Sequence, residues 1–88
     1  MLRYMIAYDI TDDKIRTRVF KFLCKNAQRL QKSVFIFEGS GNSMLRIQKW
    51  ISRIMDDGDS LAVIPVSDAC YAKAVVVSGD LDGSTVAA

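Results

Sequence analysis

Residues 3–25 read RYMIAYDITDDKIRTRVFKFLCK, and within them a strand gives way to a helix. Arg3 to Ile10 is a short apolar run rich in β-forming residues, the pattern of a buried strand. Thr11, Asp12 and Asp13 then supply an N-cap and acidic residues for a first helical turn, where the helix dipole favours negative charge. Beyond them Ile15, Val19, Phe22 and Leu23 recur at i, i+4, i+7 and i+8, the apolar stripe of an amphipathic helix. Lys14, Arg18, Lys21 and Lys25 fall at i, i+4, i+7 and i+11 on a separate face. One side of this helix is apolar and another is basic. Cys24 takes an apolar position in it and is expected to behave as a small buried hydrophobe.

Working outward, Arg29 to Phe37 (RLQKSVFIF) returns to strand character, and Gln31-Lys32-Ser33 marks a turn that divides it in two. Gly39 to Asn42 is a loop, with Asn42 or Ser43 as cap for a second helix over about Met44–Met55. Met44, Ile47, Ile51 and Ile54 form the apolar stripe of that helix, and Arg46, Lys49 and Arg53 its basic one. Asp56-Asp57-Gly58-Asp59 closes the helix, with glycine suited to a left-handed cap. Ser60 to Val66 is a further strand, placed at a sheet edge or strand end by Pro65. Tyr71 to Val77 is expected to be an additional C-terminal strand. Residues 1–78 thus form one α+β domain, a ferredoxin-like βαββαβ with an extra strand, both helices on one face of an antiparallel sheet. Gly79 to Ala88 is expected to be a flexible tail.

Eighty-eight residues hold a single core, and the hydrophobic fraction of 50% is high for so short a chain. A second apolar surface, buried in a homodimer, accounts for it. Two cysteines make no disulfide scaffold, and no C-x-x-C or Cys/His metal spacing occurs. Without histidine, zinc sites and histidine acid–base chemistry are largely excluded. The run Tyr4–Tyr8 is too short for a signal-peptide core, no stretch approaches a membrane span, and a cytoplasmic location is expected.

Charge is strongly segregated. From Lys14 to Arg53 ten basic residues face one acid, Glu38, a net +9, while residues 1–13 carry −2 and residues 54–88 carry −5. Such segregation is the sequence form of a surface for a polyanion. Lys14, Arg16, Arg18, Lys21, Lys25, Arg29 and Lys32 are the candidate nucleic-acid contacts, meeting phosphates with little base specificity. Arg16 and Arg18 lie two apart and point in different helical directions.

Several of these stretches resemble one family. Tyr8-Asp9-Ile10 ends the first strand, Asp12-Asp13-Lys14 opens the helix and Arg16-x-Arg18-Val19 follows. Arg29 to Phe35 (RLQKSVF) and Asp59 to Val66 (DSLAVIPV) complete the set, which spans about residues 2–66. The ordered set is similar to the small ferredoxin-like proteins of CRISPR spacer acquisition, partners of the CRISPR integrase. The resemblance implies a homodimer whose C-terminal strand packs on the partner's sheet and which binds duplex nucleic acid as an integrase scaffold. It also implies a Mg²⁺-dependent endonuclease acting on RNA or DNA. Carried over by position, Asp9 is the metal ligand and a catalytic residue, and Tyr8, Arg16, Arg18 and Phe35 occupy functional positions.

Each feature also has a plainer reading. Asp9 can order the strand-to-helix turn, and Asp12 and Asp13 can act as caps alone. A basic stripe can be a solvated helix face. Phe35, Phe37 and Trp50 read as core or interface packing rather than base-stacking platforms. Two functions of different class follow: a binding scaffold without chemistry, and a metal-dependent phosphodiesterase. A small regulatory ferredoxin-like domain outside CRISPR is the remaining alternative, and it leaves the charge segregation unexplained.

Overall fold

The computed structural model describes residues 2–77. Its elements run β1 (Leu2–Asp9), α1 (Asp13–Asn26), β2 (Gln28–Gln31), β3 (Val34–Gly39), α2 (Gly41–Ile54), β4 (Ser60–Val66) and α3 (Asp68–Ala72). The four strands form one sheet in the order β2-β3-β1-β4, with every neighbouring pair antiparallel. This is the expected split βαβ arrangement, with Pro65 on an edge strand. The edge position removes the need for the ladder hydrogen bond that proline cannot donate.

Alternation along the strands sorts the side chains to two faces. Ile6 and Tyr8 from β1 and Phe35 and Phe37 from β3 turn to the helical side. There they join Val19 and Leu23 of α1 and Met44, Ile47 and Ile51 of α2 in one buried cluster. The helix starts follow from their caps. The Asp12 carboxylate accepts from Ile15 N at 2.9 Å, and the Ser40 hydroxyl accepts from Ser43 N at 3.1 Å. The second helix therefore begins three residues earlier than Met44, because the capping oxygen belongs to Ser40 rather than Asn42 or Ser43. At its other end α2 stops at Ile54 with the extended Met55 as C-cap, so Gly58 does not cap the helix as expected. Its φ of +90° serves the turn beyond, where Asp59 N donates to the Asp56 carbonyl at 3.1 Å.

Two further expectations are corrected. Tyr71–Val77 does not form a strand of the sheet: Asp68–Ala72 coil into α3, and Val76 makes a single bridge. The Ser67 hydroxyl accepts from Cys70 N and Asp68 sits in the first turn, so a local cap outweighs the β-propensity of the valines that follow. Cys24 is exposed rather than buried, as is Cys70. Its neighbour Leu23 takes the core position, and one residue further turns the thiol about 100° away. The expected Gly79–Ala88 tail lies outside the described residues.

Opposite the helices, Met5 pairs in register with Ile36 and Ile64, and Ala7 with Val34 and Ala62. This second face is apolar and partly open: Ile64 is 46% exposed. The segment after β4 covers one end of it. Arg3, on the same face, contacts Glu38 at 2.9 Å, pairs with Asp68 and lies 4.4 Å from the ring centre of Tyr71. Its Nε contact with Glu38 is ionic rather than a well-aligned hydrogen bond.

Candidate nucleic-acid interface

The charged residues of α1 divide by helical direction. Arg16, Thr17 and Phe20 face a cleft of about 600 Å³, whose remaining walls are Tyr8, Asp9, Ile10, Arg29, Lys32 and Ser33. The strand end of β1 supplies Asp9, and the β2–β3 hairpin brings Arg29 and Lys32 across from α1. Three cations and one carboxylate thus meet around a single opening.

Each has a distinct setting. Arg16 donates from Nη1 to the carbonyls of Ile10 and Thr11, at 3.0 and 3.1 Å, and pairs with Asp13. It fixes the β1–α1 loop while keeping part of its guanidinium at the cleft. Arg29 donates to the Gln31 carbonyl at 3.3 Å and lies 5.2 Å from the ring centre of Phe20. Lys32 is exposed at the hairpin turn, and Asp9 is exposed at the end of β1, opposite Ser60. Exposure removes the desolvation cost that an ionised carboxylate would meet inside the core.

Tyr8 is 6% exposed and stacks on Phe35, with ring centres 6.3 Å apart. Burial holds its hydroxyl above the usual tyrosine range, with the Cys24 thiol adding to the effect and Arg29 and Arg16 opposing it. Phe35 has no exposed surface and also meets Phe20 edge-on at 6.0 Å. It touches no solvent, so it can act on the cleft only through the packing of Tyr8 and Phe20.

Other sequence candidates lie elsewhere. Arg18 projects from the far side of α1 and rests 5.9 Å from the ring centre of Trp50. Lys14 stands among Asp12, Asp13, Asp56, Asp57 and Asp59, where its charge is locally balanced. Lys21 and Lys25 are exposed on α1, Lys25 in its last turn, where a cation suits the helix dipole. The acids cluster because Asp59 joins two loops, accepting from Thr11 N at 3.2 Å and from Asp56 N at 3.0 Å. Ser33 was absent from the sequence candidates. Its carbonyl accepts from Tyr8 N at 3.2 Å, a long-range contact with no local sequence signal.

Among the described residues no three His, Cys, Asp or Glu side chains converge to hold a metal ion. Asp9 therefore fits Mg²⁺ only as part of a larger site, since this ion typically takes one or two protein carboxylates and fills its remaining positions with water. No helix among the described residues is long and apolar enough to cross a membrane.

Comparison with known proteins adds context to this geometry. A family model described as CRISPR associated protein Cas2 matches residues 1–74. The CRISPR-associated endoribonuclease Cas2 1 of Nitrosomonas europaea is 40% identical over 67 residues, covering 75% of this chain and 64% of the relative. The chain thus spans somewhat less than two thirds of that relative's length. The protein of the same name from Archaeoglobus fulgidus is 34% identical over 77 residues, covering 85% of this chain and 82% of the relative. Among solved structures, a hypothetical protein from Thermus thermophilus superposes with a TM-score of 0.70 at 31% identity, covering 75% of this chain and 82% of its own. Streptococcus pyogenes Cas2 shares the fold, with a TM-score of 0.66 at 22% identity over 74% of this chain and 86% of its own.

Proposed function

This chain belongs to the CRISPR associated protein Cas2 family, and from that premise we infer that it serves spacer acquisition as a homodimer binding duplex nucleic acid and bridging integrase subunits. One observation carries the reading: Arg16, Arg29 and Lys32, from separate elements, line one cleft. Cations so placed attract phosphates through a sequence-independent, salt-dependent field. The open apolar face, with Met5 and Ile64 in register, supports the dimer, since contiguous exposed apolar surface marks an interaction site.

A second reading is supported by the same cleft and by the naming of the Nitrosomonas and Archaeoglobus relatives as endoribonucleases. Here Asp9 and its counterpart in a second copy hold Mg²⁺. The ion, when bound, supplies Lewis-acid activation of a water for phosphodiester hydrolysis. Arg29 and Lys32 position the backbone phosphates, Arg16 fixes the loop beside Asp9, and the buried Tyr8–Phe35 stack keeps the wall rigid. With Tyr8 protonated, its phenol holds rather than accepts a proton at neutral pH.

Mg²⁺-dependent cleavage of labelled RNA and duplex DNA, with binding followed in parallel, separates the two. The nuclease reading expects Asp9→Ala to abolish cleavage and retain binding. Equal cleavage by both proteins, or none by either, leaves the scaffold. Unchanged duplex binding by an Arg29→Ala/Lys32→Ala variant removes the cleft from either role.

A further inference from the structure

Phe22 and Trp50 stand 28 positions apart, yet their rings stack across the junction of α1 and α2, centres 4.1 Å apart at an interplanar angle of 16°. Beside them runs a groove of about 420 Å³ lined by Phe22, Asn26, Phe37, Arg46, Ile47 and Trp50, among others. It lies across α1 from the cleft described above: Thr17 and Phe20 wall the cleft, Arg18 and Phe22 the groove side. The two openings share a helix and no lining residue.

Helical spacing surrounds each aromatic with cations. Arg18 and Lys25 lie four before and three after Phe22, and Arg46 and Arg53 lie four before and three after Trp50. Residues three and four apart share a helix face, so each ring is flanked by positive charge along its own helix. Arg18, Lys25, Arg46 and Arg53 are all exposed, and no acid occurs in α1 or α2 after Asp13. The Asn26 amide, at the groove wall, donates to the Phe22 carbonyl at 2.7 Å.

We propose that this groove is a second nucleic-acid site, taking single-stranded nucleic acid whose bases pack against the Phe22–Trp50 pair and whose phosphates meet Arg46, Arg53 and Arg18. Charge complementarity selects a polyanion, and the aromatic floor selects one that can offer unpaired bases. A duplex keeps its base faces stacked and has nothing to offer the rings. An acidic protein segment satisfies the cations alone.

Trp50 is the single tryptophan of the chain, so its emission reports on this groove. The full chain is titrated with a thymidine oligonucleotide of about ten nucleotides, within the span of one such platform. A blunt duplex and polyglutamate of equal charge are titrated alongside. The expected result is saturable quenching by the oligonucleotide alone. An Arg46→Gln/Arg53→Gln variant should lower the dependence of log K on log salt by about 1.4, at about 0.7 for each single-strand phosphate no longer neutralised. Both substitutions are on exposed side chains. The quench should survive in the Arg29→Ala/Lys32→Ala variant, whatever becomes of duplex binding in the cleft. Unchanged emission at saturating oligonucleotide overturns the proposal. So does equal quenching by polyglutamate, which indicates an acidic-protein surface, or loss of the quench in the cleft variant.

Discussion

Gly39 approaches the ring of Phe37 so closely that a Cβ built on it would lie 2.6 Å from Cζ. Phe37 is itself buried and stacks on Tyr4, so its ring has little room to yield. Gly39→Ala is expected to cost about 1–3 kcal/mol by overpacking, and Phe35→Ala about 3–5 kcal/mol by leaving a cavity, both readable by urea unfolding. Tyr8 adds a pH signature. Its folded hydroxyl ionises above the ordinary value of 10.0, so the unfolded chain releases its proton first as pH rises. Stability is intact below that value and falls above it. Tyr8→Phe should remove that part of the alkaline fall, and an identical pH–Tm curve for both proteins would discount the buried phenol. At this scale Asp9 was legible as a strand end. That it shares a cleft with Arg29 and Lys32 was not, because the hairpin that delivers them is set beside Asp9 by long-range pairing with β1, Ala7 opposite Val34 and Tyr8 N on the Ser33 carbonyl.

The elements follow their local signals closely where cap and periodicity agree. Asp12 opens α1 as expected, and Lys32-Ser33 divides β2 from β3. The C-terminal stretch fails that test because two signals compete. YAKAVVV ends in a β-branched run that favours a strand, while Ser67-Asp68 caps a helix just ahead of it, and the cap prevails with Arg3 holding the result to the sheet. Arg3→Met should therefore raise amide exchange at Tyr71, Lys73 and Ala74, whose hydrogen bonds close α3, and leave the β1–β3 ladder protected. Equal protection in the variant would mean that α3 holds without its arginine. Ser40→Ala should cost about 1 kcal/mol through loss of the α2 cap, measured as a shift in the urea midpoint at constant slope.

For the whole molecule, the segregation of charge along the chain becomes segregation in space. The acids on either side of the basic middle converge as Asp12, Asp13, Asp56, Asp57 and Asp59 at one end of the sheet. The proposed dimer would rest on the opposite feature, an apolar face with no charge in the Ile36–Met5–Ile64 row. Ile64→Glu should shift sedimentation to the monomer, because a like-charged pair would be forced into the apolar contact. An unshifted dimer would place the interface elsewhere. If the chain pairs as proposed, Arg29→Ala/Lys32→Ala removes two cations from each copy. The salt slope of duplex binding should then fall by about 3.6, at about 0.9 per B-DNA phosphate contact. The order of charges along the chain made the basic surface legible from sequence. It could not show that α1 divides that surface into two openings, because the division depends on which side of the helix β2 and α2 occupy.

The β1–α1 loop is already tied down in the free chain, by Arg16 on the carbonyls of Ile10 and Thr11 and by Asp59 on the amide of Thr11. The conformational freedom of that loop is surrendered during folding, so under the proposed role a phosphate backbone arriving at the cleft would not have to freeze it. Cutting the Asp59 tether should leave every cationic contact in place and still weaken association. The loss would appear in calorimetry as a more unfavourable entropy: the site is made ready before it is filled.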